Sequence, residues 1–225
     1  MSPPQDIGDQ ALLGQAGVSE DVEITRGCWG GGYAVSSASS VIDYVTIQST
    51  PTITASPFGD LSRSSAFTAG CYGSGRGVFG GGGNPTTDTI DYITVLTTAS
   101  VATDYGDLQT ATLELGACAD ATRGIWAGGS TGSRTNLMEY IPILTGGTAT
   151  TFGDLTETRS GLVGVSDGTV GLFAGGNDAS KVSTIDYVTI QTENDADDWG
   201  DLTQARTQLG ACSNTSRAVF AGGEA

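Results

Sequence analysis

The tripeptide Gly-Asp-Leu occurs four times in this chain, at Gly59-Asp60-Leu61, Gly106-Asp107-Leu108, Gly153-Asp154-Leu155 and Gly200-Asp201-Leu202, each copy 47 residues after the last. A fixed period restricts a chain to folds made by stacking one supersecondary unit on the next. Two more signals keep the same register. One is Arg26-Gly27-Cys28-Trp29-Gly30-Gly31, repeated at Arg76-Gly77-Val78-Phe79-Gly80-Gly81, Arg123-Gly124-Ile125-Trp126-Ala127-Gly128, Val170-Gly171-Leu172-Phe173-Ala174-Gly175 and Arg217-Ala218-Val219-Phe220-Ala221-Gly222, at steps of 50, 47, 47 and 47. The other is Ile42-Asp43-Tyr44, Ile90-Asp91-Tyr92, Met138-Glu139-Tyr140 and Ile185-Asp186-Tyr187.

The residues inside the period are those of strands. Strand b is the arginine-led run closed by glycines. Strand c is the Ile-Asp-Tyr-Val-Thr-Ile type, rich in β-branched and aromatic residues. Strand d carries an aromatic just before Gly-Asp-Leu (Phe58, Tyr105, Phe152 or Trp199), and strand a reads Leu115-Gly116-Ala117-Cys118 or Leu209-Gly210-Ala211-Cys212. Short apolar runs suit sheets covered on both faces. With 35 glycines in 225 residues a helical bundle is excluded. The regular return of Val, Ile, Phe, Tyr and Trp argues against disorder. Four strands per ~40–50 residues predicts propeller blades.

The unit resembles a Kelch repeat. The shared features are the double glycine after strand b (Gly175-Gly176), the strand-c tyrosine (Tyr187), an aromatic about a dozen residues later (Trp199), an arginine leading into strand a (Arg206) and the next double glycine (Gly222-Gly223). The likeness covers roughly residues 26–223. It departs from the pattern at Val170 in place of arginine, at Ala218 in place of glycine and at Pro142, which is expected to interrupt the third strand c. The Gly-Asp-Leu variant, with its Thr-rich connections, is similar to Kelch-like repeats in structural proteins of tailed bacteriophages, marine and cyanobacterial ones especially.

The expected fold is therefore all-β, a Kelch-like β-propeller of four full ~47-residue blades plus an incomplete fifth that has only strands a and b. A ring completed by strands of a partner chain is the alternative. Residues 26–225 form the propeller. Residues 1–25, with Pro3-Pro4 and the acidic Glu20-Asp21-Glu23, read as a docking arm that can also supply a first strand from Ala11-Leu12-Leu13-Gly14. The start has neither a basic n-region nor an apolar h-region, so no signal peptide is expected, and no apolar run nears the ~20 residues of a membrane span.

Chemistry is sparse. The chain has no histidine, which excludes histidine-dependent triads and metal sites, and its formal charge of −16 leaves little room for a nucleic-acid surface. No G-x-S-x-G elbow is present. Gly80–Gly83 lacks the Lys-Ser/Thr of a phosphate loop. Thirteen of the 16 aromatics hold repeat positions and are expected in the core; Tyr33, Phe67 and Tyr72 do not. Cys71, Cys118 and Cys212 stand five residues before the strand-b arginine position, where the fourth copy has Val165. A ring of thiols is one reading, and small buried side chains in a reducing compartment the preferred one. The repeated acids Asp60, Asp107, Asp154 and Asp201, and Asp43, Asp91, Glu139 and Asp186, are expected to hold turns or to pair with Arg26, Arg76, Arg123 and Arg217. Glu193, Asp195, Asp197 and Asp198 lack calcium-loop spacing and read as solvated charge. No metal or cofactor is expected.

That leaves the variable b–c connections, residues 33–41, 83–89, 130–137 and 177–184, as the surface able to bind. Its candidates are Tyr33, Ser36, Asn84, Thr131, Asn136, Asn177 and Asp178. The resemblance implies a non-enzymatic structural or attachment protein of a phage particle, a capsid or tail appendage made in the host cytoplasm. Its expected partners are other virion proteins through residues 1–25 and a protein or glycan of the host surface, with self-association open and no nucleic acid. The alternatives are a cytoplasmic Kelch-type protein-interaction module and a glycan-binding propeller.

Overall fold

The computed structural model describes residues 11–12, 26–34, 37–47, 54–97 and 101–225, with residues 11–12 and 34 described by their backbone. Ser36 and the rest of the N-terminal arm lie outside the described residues.

The described residues form twenty strands and no helix. The first sheet holds β1 (Ala11–Leu12), β2 (Arg26–Gly30), β5 (Val41–Thr46) and β6 (Ser56–Asp60), with a small hairpin of β3 (Tyr33–Ala34) and β4 (Ser37–Ala38) in its b–c connection. The second holds β7 (Ala69–Gly73), β8 (Arg76–Gly80), β9 (Thr89–Thr94) and β10 (Thr103–Asp107). The third holds β11 (Gly116–Ala119), β12 (Arg123–Ala127), β13 (Leu137–Pro142) and β14 (Thr150–Asp154). The fourth holds β15 (Val163–Ser166), β16 (Val170–Ala174), β17 (Thr184–Thr189) and β18 (Asp197–Asp201). A fifth, two-stranded sheet joins β19 (Gly210–Ser213) to β20 (Ala218–Ala221). All pairings are antiparallel, in the order a-b-c-d. These are four complete blade-like sheets and a partial fifth. The first sheet does take its strand a from the N-terminal segment, as Ala11 pairs with Gly30 and Leu12 with Trp29. Pro142 does not interrupt its strand. It is the last residue of β13, opposite Arg123, where a missing N–H is tolerated.

The sheets pack side by side through their a strands, β1 on β7, β7 on β11, β11 on β15 and β15 on β19. Three apolar clusters fill the gaps between neighbours. Cys28, Ile42 and Phe58 of the first sheet meet Phe79, Ile93 and Val95 of the second. Val78 and Ile90 meet Trp126, Ile141 and Ile143 of the third. Ile125, Met138 and Phe152 meet Phe173, Val188 and Ile190 of the fourth. Alternation along each strand sends one set of side chains to the preceding sheet and the other to the following one, so each sheet holds half of two interfaces. The buried indole of Trp126 also donates across a gap, to the carbonyl of Ala69 at 3.2 Å.

The glycines of the period have steric reasons. In the double-glycine turn, Gly82 sits at φ +114°, and a Cβ there would lie 2.1 Å from Ser65 Oγ. The glycine of Gly-Asp-Leu marks a bulge where strand c shifts register against strand d. A Cβ on Gly106 would meet the carbonyl oxygen of Gly147 at 2.1 Å. A further link recurs at 47-residue steps. Phe67, Glu114, Gly161 and Gln208 all have φ between +56° and +68°, and each of the last three donates its N–H to the carbonyl of the one before, at 3.0, 2.9 and 2.8 Å.

Candidate functional site

The described loop candidates lie on the b–c connections, and one pair of them, Tyr33 and Asn84, bonds to each other. Tyr33, 44% exposed, tilts its ring against Phe67 at 6.1 Å and accepts a hydrogen bond from Asn84 Nδ2 at 3.2 Å. Arg134 Nη2 donates to Asn177 Oδ1 at 3.1 Å, and the Thr158 hydroxyl donates to Asp178 at 3.3 Å. Lys181 pairs with Glu224 at 3.2 Å. Thr131 is exposed, and its N–H closes a tight turn on the carbonyl of Ser133 at 3.0 Å. Asn136 serves through its main chain, accepting from Leu155 N at 2.8 Å. The structure thus brings Tyr33 to Asn84, and Asn177 to Arg134. It adds Phe67, Thr158 and the basic pair Arg134 and Lys181, which stand 47 residues apart and make the same link, Arg134 to Asn177 and Lys181 to Glu224, one repeat on. Tyr72, placed outside the core pattern, is buried between the first two sheets.

The repeated arginines do not pair with the repeated acids. Arg26, Arg76 and Arg123 lie over the rings of Tyr44, Tyr92 and Tyr140 on the same sheet, 4.5, 4.6 and 4.5 Å from the centroids. They then reach across to main-chain carbonyls of the next sheet: Arg26 to Val95 and Thr97 at 3.0 and 2.8 Å, Arg76 to Ile143 and Leu144 at 3.1 and 2.9 Å, Arg123 to Ile190 at 3.5 Å. Asp and Tyr are adjacent on strand c, so they face opposite sides of the sheet, and an arginine stacked on the tyrosine has its back to the acid. Arg123 does have an acidic partner, Glu193 at 3.1 Å, which also accepts from Tyr140. Asp195 accepts from the N–H of Asp154 at 3.0 Å. The cluster read as solvated charge therefore ties two of its members to the preceding sheet.

Three of the four strand-c acids, Asp91, Glu139 and Asp186, are buried and serve as sockets for the loop that follows Gly-Asp-Leu in the preceding copy, while Asp43 is half-buried. Asp91 accepts from Ser62 N at 2.9 Å, Glu139 from Gln109 N at 3.0 Å and Asp186 from Thr156 N at 3.1 Å. Burial raises the pKa of Glu139 above the ordinary glutamate value, and the Gln109 N–H opposes the rise. Asp186 alone has a cation, Arg159, 2.8 Å away, with both side chains fully buried. Arg159 also donates to the carbonyls of Phe173, Gly175 and Thr184. Its pKa is lowered by burial and pulled back up by Asp186. In the Gly-Asp-Leu motif, Asp60 and Asp201 accept from the hydroxyls of Ser40 and Ser183 at 2.8 and 2.7 Å.

The four cysteines carry free thiols. Cys28, Cys71 and Cys118 are buried and Cys212 is exposed. Burial pushes the Cys28 thiol up to about 11 against the pull of Arg26, and raises Cys71 and Cys118 as well. No group of three or more Cys, Asp or Glu among the described residues has a metal-holding arrangement.

An opening lies at the end of the array. A groove of about 620 Å³ is lined by the fourth and fifth sheets, among them Leu172, Ile185, Trp199, Thr203, Arg206 and Arg217. Trp199 was expected in the core, as are Phe58 and Phe152 at its repeat position, yet it is 62% exposed. Among the described residues the fifth sheet consists of strands a and b, which leave Trp199 uncovered. No protein-family model and no curated protein matches the chain.

Proposed function

We propose that the chain is a Kelch-like propeller that serves a bacteriophage particle as a non-enzymatic structural or attachment protein, a capsid or tail appendage. The observation that carries this reading is where the period spends its ionisable side chains. Asp91, Glu139 and Asp186 are sockets for neighbouring loops, and Arg26, Arg76 and Arg123 are clasps between sheets. Such chemistry suits a rigid display scaffold. The rim at Tyr33, Asn84, Arg134 and Asn177, on connections that differ from copy to copy, is the part able to meet a host protein or glycan. The Gly-Asp-Leu repeat type and its Thr-rich connections give the reading its phage context.

The test is quantitative mass spectrometry of particles purified by density gradient and washed in high salt. The reading requires this chain in the particle band at a fixed ratio to the major capsid protein. Recovery solely in soluble host extract, bound to a cellular protein, would replace it with an interaction module.

A further inference from the structure

Strands β2, β8, β12 and β16 each have a strand a on one side and a strand c on the other; among the described residues β20 pairs with β19 alone. The complete copies show what belongs on that free edge. Each strand c there has an acid, then an aromatic, an aliphatic, any residue and a second aliphatic: Asp91-Tyr92-Ile93-Thr94-Val95, Glu139-Tyr140-Ile141-Pro142-Ile143 and Asp186-Tyr187-Val188-Thr189-Ile190. Every one of those positions has a waiting counterpart in the groove.

The acid comes first. In each complete copy it accepts the N–H of residue 62, 109 or 156, and the residue at the next 47-step is Thr203. Thr203 is exposed, and among the described residues neither its N–H nor its hydroxyl has a partner. Beside it Arg206 repeats Arg159. Arg159 Nη1 donates to Gly175 O at 3.1 Å, and Arg206 Nη1 donates to the equivalent Gly222 O at 3.3 Å. Arg159 goes on to Asp186, whereas no carboxylate among the described residues lies within ion-pair distance of Arg206. The two aliphatic positions are equally plain. Ile93 and Val95 cover Phe58, and Val188 and Ile190 cover Phe152, while Trp199 holds the same place uncovered. The aromatic belongs under Arg217, the only repeat arginine of this set with no tyrosine ring beneath it among the described residues.

We propose that this groove is a docking site for an extended strand of a partner protein, of the form acid–aromatic–aliphatic–any–aliphatic. The strand adds to the free edge of β20, sets its carboxylate on Arg206 and Thr203, lays its aliphatics on Trp199 and places its aromatic under Arg217. Main-chain bonds to β20 supply affinity and the alternate side chains supply selection. Charge narrows the occupant further. The chain bears −16 overall and offers this one guanidinium without a carboxylate at the acid position, so a strand with a single acid fits and an acidic run is repelled. This site goes beyond the particle reading and stands or falls apart from it.

The probe is a fluorescein-labelled peptide with the sequence of residues 184–190, Thr-Ile-Asp-Tyr-Val-Thr-Ile, titrated with the whole chain and followed by anisotropy. Saturable binding is expected, with quenching of Trp199. The Asp186→Asn form of the peptide, run on the unaltered protein, is expected to bind about ten- to a hundredfold more weakly, the worth of a charge-assisted bond. The Arg206→Gln and Trp199→Ala proteins should each lose a similar factor, while Asn84→Ala on the rim should lose none. Absence of saturable binding at millimolar peptide overturns the proposal. So does equal binding of the Asn peptide or of a reversed-order peptide. If sedimentation velocity of the chain alone shows a dimer that Trp199→Asp dissociates, a second copy fills the groove and the partner strand is refuted.

Discussion

Phe152 and Trp199 occupy the same position of the period, and they should respond very differently to truncation. Phe152 is 3% exposed, edge-on to Tyr140 at 6.1 Å and covered by Val188, Ile190 and Ala196 of the following sheet. Truncating a buried phenylalanine to alanine costs about 3–5 kcal/mol, transfer and cavity together. Trp199 keeps its edge contact with Tyr187 at 5.3 Å but leaves 62% of its surface in water. With roughly a third of the burial, Trp199→Ala should cost about 1–2 kcal/mol, of which the ring pair accounts for about 0.5–1.5. Urea unfolding followed by far-UV circular dichroism reads both. At a slope of about 2 kcal/mol per molar, Phe152→Ala lowers the midpoint by about 1.5–2.5 M and Trp199→Ala by about 0.5–1 M. Stacked repeats can unfold in more than one step, so both variants are compared in the transition that removes the same signal. Equal midpoint shifts would refute the idea that the following sheet's strand c is what stabilises this aromatic position.

Other consequences are equally measurable. Arg159→Met strands Asp186 as a buried, uncompensated charge and should cost about 3–5 kcal/mol, whereas Arg159→Met with Asp186→Asn should cost less than the sum of the two single changes; additive urea midpoints would show that the pair is not coupled. Glu139 has its pKa raised in the folded state, so its contribution to stability is full below the unfolded value near 4.5 and is lost as pH rises through the folded value; Glu139→Gln should flatten that part of the stability–pH curve, and an unchanged slope would contradict the assignment. Glu114 sits at φ +60° where the next copy has Gly161, so Glu114→Gly should raise the thermal midpoint, by about 1 kcal/mol of stability, while a drop would mean that the side chain matters more than the backbone. A colorimetric thiol reagent should titrate Cys212 alone in the native protein and all four cysteines in denaturant, and fast reaction of Cys71 or Cys118 would contradict their burial.

How much of this was legible in the residues depends on whether a feature repeats. Strands b, c and d, the double-glycine turns and the burial of Trp126, Phe152 and Phe173 follow from periodicity, because identical units in identical surroundings pack alike. The partial fifth sheet follows as well, since only strands a and b recur after residue 208. The partner of each arginine did not follow. The arginine position of Arg76 and the acid position of Asp91 both follow the period, and only the facing of successive side chains on strand c separates them, sending Asp91 toward Ser62 and Tyr92 under Arg76. Features that occur once stayed hidden for the opposite reason. Glu193 and Asp195 look like solvent-facing charge until the third sheet brings Arg123, Tyr140 and the Asp154 N–H against them. The Tyr33–Asn84 contact is of the same kind, since it joins side chains 51 residues apart that share no pattern.

Trp199 shows where a period stops being informative. Its local sequence matches that of Phe58 and Phe152, its strand forms, and its ring packs on the tyrosine of its own sheet as theirs do. What differs is the neighbour. A side chain at this position completes an interface whose other half is carried one repeat downstream, so its burial is a property of the pair of sheets rather than of the residue. The same division applies to Thr203, Arg206 and Cys212, whose counterparts one repeat earlier, Thr156, Arg159 and Val165, are satisfied or buried. In an array of shared interfaces the two-stranded fifth sheet thus leaves uncovered the groups that a strand c covers in the complete copies. The contacts that fix what these groups accept are seen inside the array at Asp91, Glu139 and Asp186, and once as a full ion pair at Arg159.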